Sequence, residues 1–275
     1  MKETKNIKIL HVAVDTEFTD TDFVSLQLSI RDGQSYPAKA FFVNSDLLNT
    51  ELTTQCEKFC EELNITFIPT KYEDTVCTIY PFLESVLETH YPYELIEGYS
   101  FKFYFYFFYS AKDFWYAFGF NNVSKYFTKE VKRKQKNFIT QKRSIFGNFP
   151  IPKPISQYKI RIKLRDLKGY TNRGLSHLAS SLNIQMDDKG LMDEYKTCMD
   201  VGFQKDPINF IKYGMNDCDV LHTIYLKQLK NINLIMEKHL KMPSYLHFTE
   251  TDLPVSTGKL VSTIFDKFLF DQKLH

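Results

Sequence analysis

The sequence of 275 residues has no long apolar run, few cysteines and almost no excess of either charge. A membrane-spanning helix needs roughly 20 consecutive apolar residues, and no stretch approaches that length, so we expect no contact with a membrane. The opening residues, MKETKNIKIL, also lack the apolar stretch of a secretory signal. Together these absences predict an intracellular protein.

The five cysteines are an odd number and show no zinc-ligand spacing. This pattern favours reduced thiols over disulfides. Cys56 and Cys60 are four residues apart in TQCEKFCEEL, so they share one face of a predicted helix. Because cysteine is among the most buried residue types, we favour core packing for this pair, with metal binding as the alternative.

The formal charge of +2 comes from 35 basic and 33 acidic residues, so the molecule as a whole is not a polycation. Basic residues are nevertheless concentrated in KEVKRKQKNFITQKR, residues 129–143. This segment is the best candidate for contacts with nucleic-acid phosphates, and a solvated surface loop is the alternative. Its candidate binding residues are Lys132, Arg133, Lys134, Lys136 and Phe138.

Apolar periodicity predicts a mixed α/β protein in which helices cover one sheet. Predicted strands occupy residues 7–14, 23–30, 38–43, 102–109 and 157–167. Predicted helices occupy residues 53–65, 73–92, 110–118, 172–184, 206–240 and 256–274. The first three strands form an opening antiparallel meander, and residues 121–154 are predicted to be irregular because of their prolines.

Four acids fall at the ends or faces of these elements. Asp15 and Glu17 are two apart on a strand and leave the same face, about 6 to 7 Å apart along it. Asp113 follows the aromatic strand, and Tyr213 and Asp217 share a helix face because they are four residues apart. Clustered carboxylates need a cation, and an all-oxygen set suits Mg²⁺ or Mn²⁺. Taken singly, these acids could instead be strand or helix caps, or part of a solvated helix face.

Three stretches that contain these acids resemble the motifs of the DEDD superfamily of 3′→5′ exonucleases: VDTEF, FYSAKDFWYAFG and YGMNDCDVL. The Tyr-x-x-x-Asp spacing of Tyr213 and Asp217 in the third stretch resembles that of the DEDDy branch. This branch includes RNase D and the proofreading domains of family B DNA polymerases. Within that branch the sequence is most similar to the exonuclease domains of plasmid- and phage-type polymerases. LRDLKGYTNRGLSHLASSLNI and DLPVSTGKLVSTIFDKFL extend the resemblance.

The resemblance implies a ribonuclease H-like fold and two divalent cations at the acids. Asp15, Glu17, Asp113 and Asp217 would bind the two ions, and Tyr213 would orient the attacking water. Ser110 stands where the family often has Asn and is the candidate substrate contact. The implied reaction removes nucleoside 5′-monophosphates from the 3′ end of DNA.

The resemblance also implies the domain organisation and the partners. Residues 1–275 would form a single exonuclease domain, with a basic insertion around 121–154 and a C-terminal helical extension at 244–275. Its substrates would be single-stranded or frayed 3′ DNA ends, and a DNA polymerase in the same or another chain is a further expected partner. The location would be a cytoplasm or nucleoid, or an organelle or host cell if the gene belongs to a plasmid or phage.

Two alternatives to this function remain open. The protein could be an RNase D-like 3′→5′ exoribonuclease, or a nucleic-acid-binding module that keeps the fold without hydrolysis. The presence of all four acids and the tyrosine favours an enzyme over the module. The polymerase-like segment near the C-terminus favours DNA over RNA.

Overall fold

A computed structural model describes most of the chain. The described residues are 7–19, 22–91, 102–109, 159–167, 174–186, 190–254 and 256–274. Within these residues six strands form one sheet. They are β1 Ile7–Phe18, β2 Phe23–Asp32, β3 Ser35–Asn44, β4 Ile65–Thr70, β5 Lys102–Tyr109 and β6 Lys159–Asp166.

The sheet has the order β4-β3-β2-β1-β5-β6. β2 runs antiparallel to both of its neighbours, whereas the β1–β5, β5–β6 and β3–β4 pairs are parallel. The predicted opening meander and mixed sheet are therefore confirmed. Because β1 and β5 are parallel, β5 ends at the same edge of the sheet as the Asp15–Glu17 end of β1.

Helices pack on both faces of this sheet, as predicted for a mixed α/β fold. The helices of the described residues are α1 Thr50–Glu62, α2 Thr75–His90, α3 Leu175–Ser181, α4 Met199–Lys205, α5 Pro207–Lys238 and α6 Thr257–Leu274. Neighbouring strand residues point to opposite faces. Phe41 of β3 contacts Phe203 of α4 and Phe210 of α5, whereas Phe42 contacts Phe82 of α2. The sheet thus lies between two helical layers.

The predicted helix over residues 53–65 was wrong at its C-terminal end. α1 ends at Glu62, and Asn64 adopts a left-handed conformation with φ of 54° that ends the helical run. Ile65 then begins β4, a strand that the sequence did not predict. This strand contains Pro69, which is tolerated because β4 lies at the edge of the sheet.

The thiols of α1 are core residues, as the sequence favoured. Cys56 and Cys60 are both fully buried and belong to one apolar cluster with Phe41, Phe203 and Phe210. Burial raises the pKa of the Cys56 thiol to about 11 and that of Cys60 to about 12. Both thiols therefore stay protonated at neutral pH and act as small apolar side chains.

Helix α6 carries a stripe of apolar side chains, of which it buries only part. Leu260 and Ile264 are half-buried and pack against a core cluster built around α5. By contrast Val261, Phe265 and Phe268 are exposed to 62%, 59% and 38%. The stripe is not fully covered by the protein's own core, so docking of a polymerase here stays a prediction. Among the described residues, none of the helices combines the length and apolarity needed to cross a membrane.

Candidate metal centre

The C-terminal end of β1 supplies two carboxylates to the α5 face of the sheet. Asp15 pairs with Gln27 of β2, and Glu17 pairs with Ser25. Side chains of antiparallel partners lie on the same face, so all four residues face α5. Glu17 is buried, with 8% of its surface exposed, and Asp15 is half-buried. The structure therefore places two acids on the buried face of a central strand.

Helix α5 supplies the third carboxylate and the phenol. Its N-terminus is fixed by Asp206, whose side chain accepts a hydrogen bond from the backbone N–H of Asn209, and by Pro207 in the first turn. Tyr213 and Asp217 then lie one turn apart on the face toward β1 and β2, as predicted. The Tyr213 side chain lowers the pKa of Asp217.

A glycine allows the helix to approach the sheet closely at this point. Gly214 lies over Gln27, and a Cβ atom added to it would lie 2.7 Å from Gln27 Cδ and 2.8 Å from Gln27 Nε2. Such distances are shorter than side chains tolerate. Because Gly214 is next to Tyr213 and one turn before Asp217, this contact brings both side chains toward β1.

Three carboxylates meet where these elements converge. Asp15, Glu17 and Asp217 each offer one ligand oxygen, and all three oxygens lie within 4.8 Å of one another. Asp217 is 7% exposed, which excludes the solvated helix face considered from the sequence. Its Oδ1 atom is buried and has no hydrogen-bond partner among the residues that the structure describes. This acidic cluster could hold a metal ion, and its oxygen ligands fit a hard divalent cation.

The environment disfavours negative charge on Asp217 when no cation is bound. Burial raises the pKa of Asp217 from its usual 3.8 to about 7, and the hydrogen bond from Tyr213 offsets only part of that rise. A bound cation would reverse the preference, because it favours the ionised carboxylate. Metal binding at this cluster should therefore release a proton near neutral pH.

Tyr213 is kept in its protonated form. Burial is the largest cause that raises the pKa of Tyr213 far above its usual 10, and the charges of Glu17, Asp217, Asp15 and Asp193 raise it further. In the metal-free protein the phenol therefore stays protonated at neutral pH. The orienting role of Tyr213 stays a prediction.

The remaining site residues predicted from sequence lie outside the described residues. They are Asp113, Ser110, Lys132, Arg133, Lys134, Lys136 and Phe138. Of the predicted metal ligands, the structure thus brings Asp15, Glu17 and Asp217 together. The participation of Asp113 and of the nucleic-acid contacts stays a prediction.

Two polar side chains of α5 close to the site, Asp219 and His222, are engaged with β2 and β3. Asp219 accepts hydrogen bonds from Lys39 at 2.6 Å and from Ser29 at 3.2 Å. His222 is buried, and its Nε2 donates to the backbone oxygen of Ser29 at 2.8 Å. Burial is the main cause that lowers the pKa of His222 to about 3. A neutral, buried histidine held in this way is structural.

Sequence reasoning missed two polar residues beside the site. Gln27 is fully buried under α5. It belongs to a row of polar residues at alternate positions of β2, and strand alternation alone would place such a row on a solvent-exposed face. Asp193 is exposed, and its charge reaches Tyr213. The sequence could have indicated Gln27 only through the predicted meander, in which this polar side chain lies opposite Asp15. No sequence pattern indicated Asp193.

Comparisons with known proteins do not assign this site to a family. A scan against protein-family models, a search of curated proteins and a search of solved structures each found no match.

We predict that the metal-free protein loses stability as the pH rises from about 4 to about 7. The folded state keeps a proton on Asp217 in this range whereas the unfolded state releases it, so the free energy of unfolding falls with pH. Three pKa units correspond to an upper bound of about 4 kcal/mol. Urea unfolding in EDTA at pH 5 and pH 8 measures the change.

Asp217→Asn should remove this pH dependence and should be more stable than the wild type at pH 8 in EDTA. Asp266→Asn, on the exposed face of α6, is the matched control and should behave as the wild type. An Asp217→Asn protein that is less stable than the wild type at pH 8 would contradict the account.

We predict that Gly214→Ala lowers the free energy of unfolding by about 1 to 3 kcal/mol, as overpacking of a core does. The added methyl group would collide with the buried Gln27 carboxamide. Gly258→Ala in α6 is the control, because nothing lies within 4 Å of its Cβ position. It should be neutral or stabilise by up to about 1 kcal/mol, since alanine favours the helix. Equal stability of the two variants would contradict the close approach of α5.

Proposed function

We propose that this protein is a metal-dependent 3′→5′ exonuclease that hydrolyses DNA to nucleoside 5′-monophosphates. The observation that supports it most is the convergence of ligand oxygens from Asp15, Glu17 and Asp217 within 4.8 Å, with Tyr213 one turn before Asp217 on α5. These residues come from two separate sequence motifs, 196 positions apart between Glu17 and Tyr213 (213 − 17 = 196). An Asp-x-Glu on a strand and a Tyr-x-x-x-Asp on a helix are the pattern of the DEDDy exonucleases that the sequence resembles.

The sheet is consistent with the ribonuclease H-like fold that this proposal requires. After the opening antiparallel meander, the later strand β5 pairs with β1 in parallel, and β6 pairs with β5 in parallel. The acids of β1 lie at the edge where β5 ends. Asp113 follows β5 by four residues in the sequence, which agrees with its proposed role as the fourth ligand.

The proposed chemistry assigns a role to each side chain of the candidate metal centre. Asp15, Glu17 and Asp217 would hold two Mg²⁺ or Mn²⁺ ions, with Asp113 as the remaining ligand. Bound ions of this kind supply an activated water and neutralise charge on the departing 3′-oxygen. Tyr213 would form a hydrogen bond that orients the attacking water. The burial of Glu17 and Asp217 would strengthen both interactions by excluding solvent.

The proposed substrate is a single-stranded or frayed 3′ DNA end. Lys132, Arg133, Lys134 and Lys136 would contact its phosphates, and Phe138 and Ser110 would contact its terminal nucleotides. Stacking of an unpaired base on an aromatic side chain contributes about 1 to 3 kcal/mol. We further propose proofreading beside a DNA polymerase, on the sequence resemblance alone.

Hydrolysis of end-labelled DNA in Mg²⁺ or Mn²⁺ tests the proposal. The wild type should shorten a 5′-labelled single strand one nucleotide at a time and release nucleoside 5′-monophosphates. Asp15→Asn and Asp217→Asn should each lose at least about 100-fold in rate, since loss of an outer partner of a metal ligand already costs 10- to 100-fold. Tyr213→Phe should keep partial activity, because it removes one hydrogen bond and no ligand.

The Asp266→Asn variant controls for loss of an acid and should retain the wild-type rate. Activity on an RNA strand but not on DNA would favour the RNase D-like alternative. Strand binding without cleavage in either metal would favour the non-hydrolytic module. A wild-type rate in Asp217→Asn would contradict the proposed site.

We predict that joint substitution of Lys132, Arg133, Lys134 and Lys136 by glutamine weakens DNA binding and flattens its salt dependence. Each phosphate contact adds about 0.7 to the slope of log affinity against log salt for a single strand. Fluorescence anisotropy of a labelled oligonucleotide in EDTA at several salt concentrations measures the slope. The charge-matched control replaces four lysines of the helices α1, α5 and α6 by glutamine: Lys58, Lys230, Lys238 and Lys259. An unchanged slope would assign residues 129–143 to a solvated loop.

A further inference from the structure

A row of polar side chains lies buried between β2 and α5. Its members are Ser25, Gln27, Ser29 and Arg31, exposed to 0%, 0%, 0% and 2%. Ser29 and Arg31 have partners away from the acidic cluster: Ser29 bonds Asp219, and Arg31 bonds Gly33 and Glu250. Gln27 is the member directly opposite Asp15. Its side chain therefore lies beside the candidate metal centre.

The Gln27 carboxamide is anchored on Ser25. Its Nε2 donates to Ser25 Oγ at 2.7 Å, and Ser25 is the residue opposite Glu17. The side chain thus extends along β2 from the level of Asp15 to the level of Glu17. Gly214 of α5 covers it from above, with no room for even one further carbon atom.

The other end of this carboxamide has no partner. Gln27 Oε1 is buried and accepts no hydrogen bond from any residue that the structure describes. On the side away from Asp15, the neighbour at the same level is Phe41, which offers no donor. A buried acceptor without a donor is costly, and replacement by an apolar side chain would remove that cost. The described neighbours give no structural reason for an acceptor here.

We propose that Gln27 is a positioning residue of the metal centre, and that its Oε1 accepts a hydrogen bond from a water that hydrates the bound divalent cation. This inference rests on the proposed metal site of Asp15, Glu17 and Asp217. Mg²⁺ keeps several of its waters when it binds to proteins. Those waters bring O–H donors into a cluster whose carboxylates can only accept. A hydrated cation thus supplies the donor that Oε1 lacks.

Mn²⁺ binding to the full chain tests this inference without an activity assay. Free Mn²⁺ is titrated by electron paramagnetic resonance, and the metal-free melting temperature is measured in EDTA. Gln27→Met keeps the unbranched shape and removes the acceptor, so we expect a 10- to 100-fold weaker Kd for Mn²⁺, as for other outer partners of metal sites. Its metal-free melting temperature should equal or exceed that of the wild type. Gln27→Glu keeps the acceptor oxygen and should bind Mn²⁺ at least as tightly as the wild type.

Gln228→Met is the matched control. Gln228 is also buried on α5 with a partnerless Oε1 in the described structure, but it lies 11 residues beyond Asp217 (228 − 217 = 11). At 1.5 Å per residue this is about 16 Å along the helix. Its substitution should leave the Kd for Mn²⁺ unchanged.

An unchanged Kd in Gln27→Met would overturn the inference and leave the proposed function intact. Equal losses in Gln27→Met and Gln228→Met would also overturn it, because they would indicate a general effect of packing. If Gln27→Met does not fold, Gln27→Leu is measured against the same criterion, and loss of Mn²⁺ affinity in Gln27→Glu overturns the inference independently. A wild type that binds no Mn²⁺ would contradict both this inference and the proposed metal-dependent function.

Discussion

The close packing of three carboxylates, Asp15, Glu17 and Asp217, is the constraint on which this end of the molecule depends. Their ligand oxygens lie within 4.8 Å of one another, and two of the three residues are more than nine-tenths buried. Like charges this close and this dry cannot all stay ionised unless a cation or a proton joins them. Without a cation, burial raises the pKa of Asp217 to about 7, which favours its protonated form. With one, the same geometry becomes a set of ligands.

The approach of α5 to the sheet determines that geometry. Helices usually cover apolar strand residues, but α5 covers the polar row of β2 and packs a glycine against a glutamine. Hydrogen bonds from His222 to Ser29 and from Ser29 and Lys39 to Asp219 fix the helix along the strand. Asp217 is thereby held in place by contacts on either side of it along α5. We infer that this buried polar layer fixes the position of α5 along β2. An apolar layer would pack as well, but it would allow the helix to shift along the strand.

The sequence predicted most helices and strands and the faces on which the acidic residues lie, but it did not predict which side chains surround those acids. Strand alternation placed Asp15 and Glu17 on one face, and the spacing of Tyr213 and Asp217 placed them on one helix face, because both follow from local geometry. β4 was missed because its first residue, Ile65, was assigned to the end of the predicted helix, and the residues after it were given no element. Gln27 was missed because only the packing of α5 against β2, a contact between distant segments, turns a polar strand face into a buried one. The function itself still depends on the motif resemblance.

The central claim is that Asp15, Glu17 and Asp217 jointly bind a divalent cation. Anomalous diffraction at the manganese edge, from crystals grown with saturating Mn²⁺, tests it most directly. The account predicts an anomalous peak bounded by these three side chains, with carboxylate oxygens at about 2.1 Å as for a hard octahedral cation. Ordered carboxylates without a peak between them, or a peak coordinated by other residues alone, would contradict it.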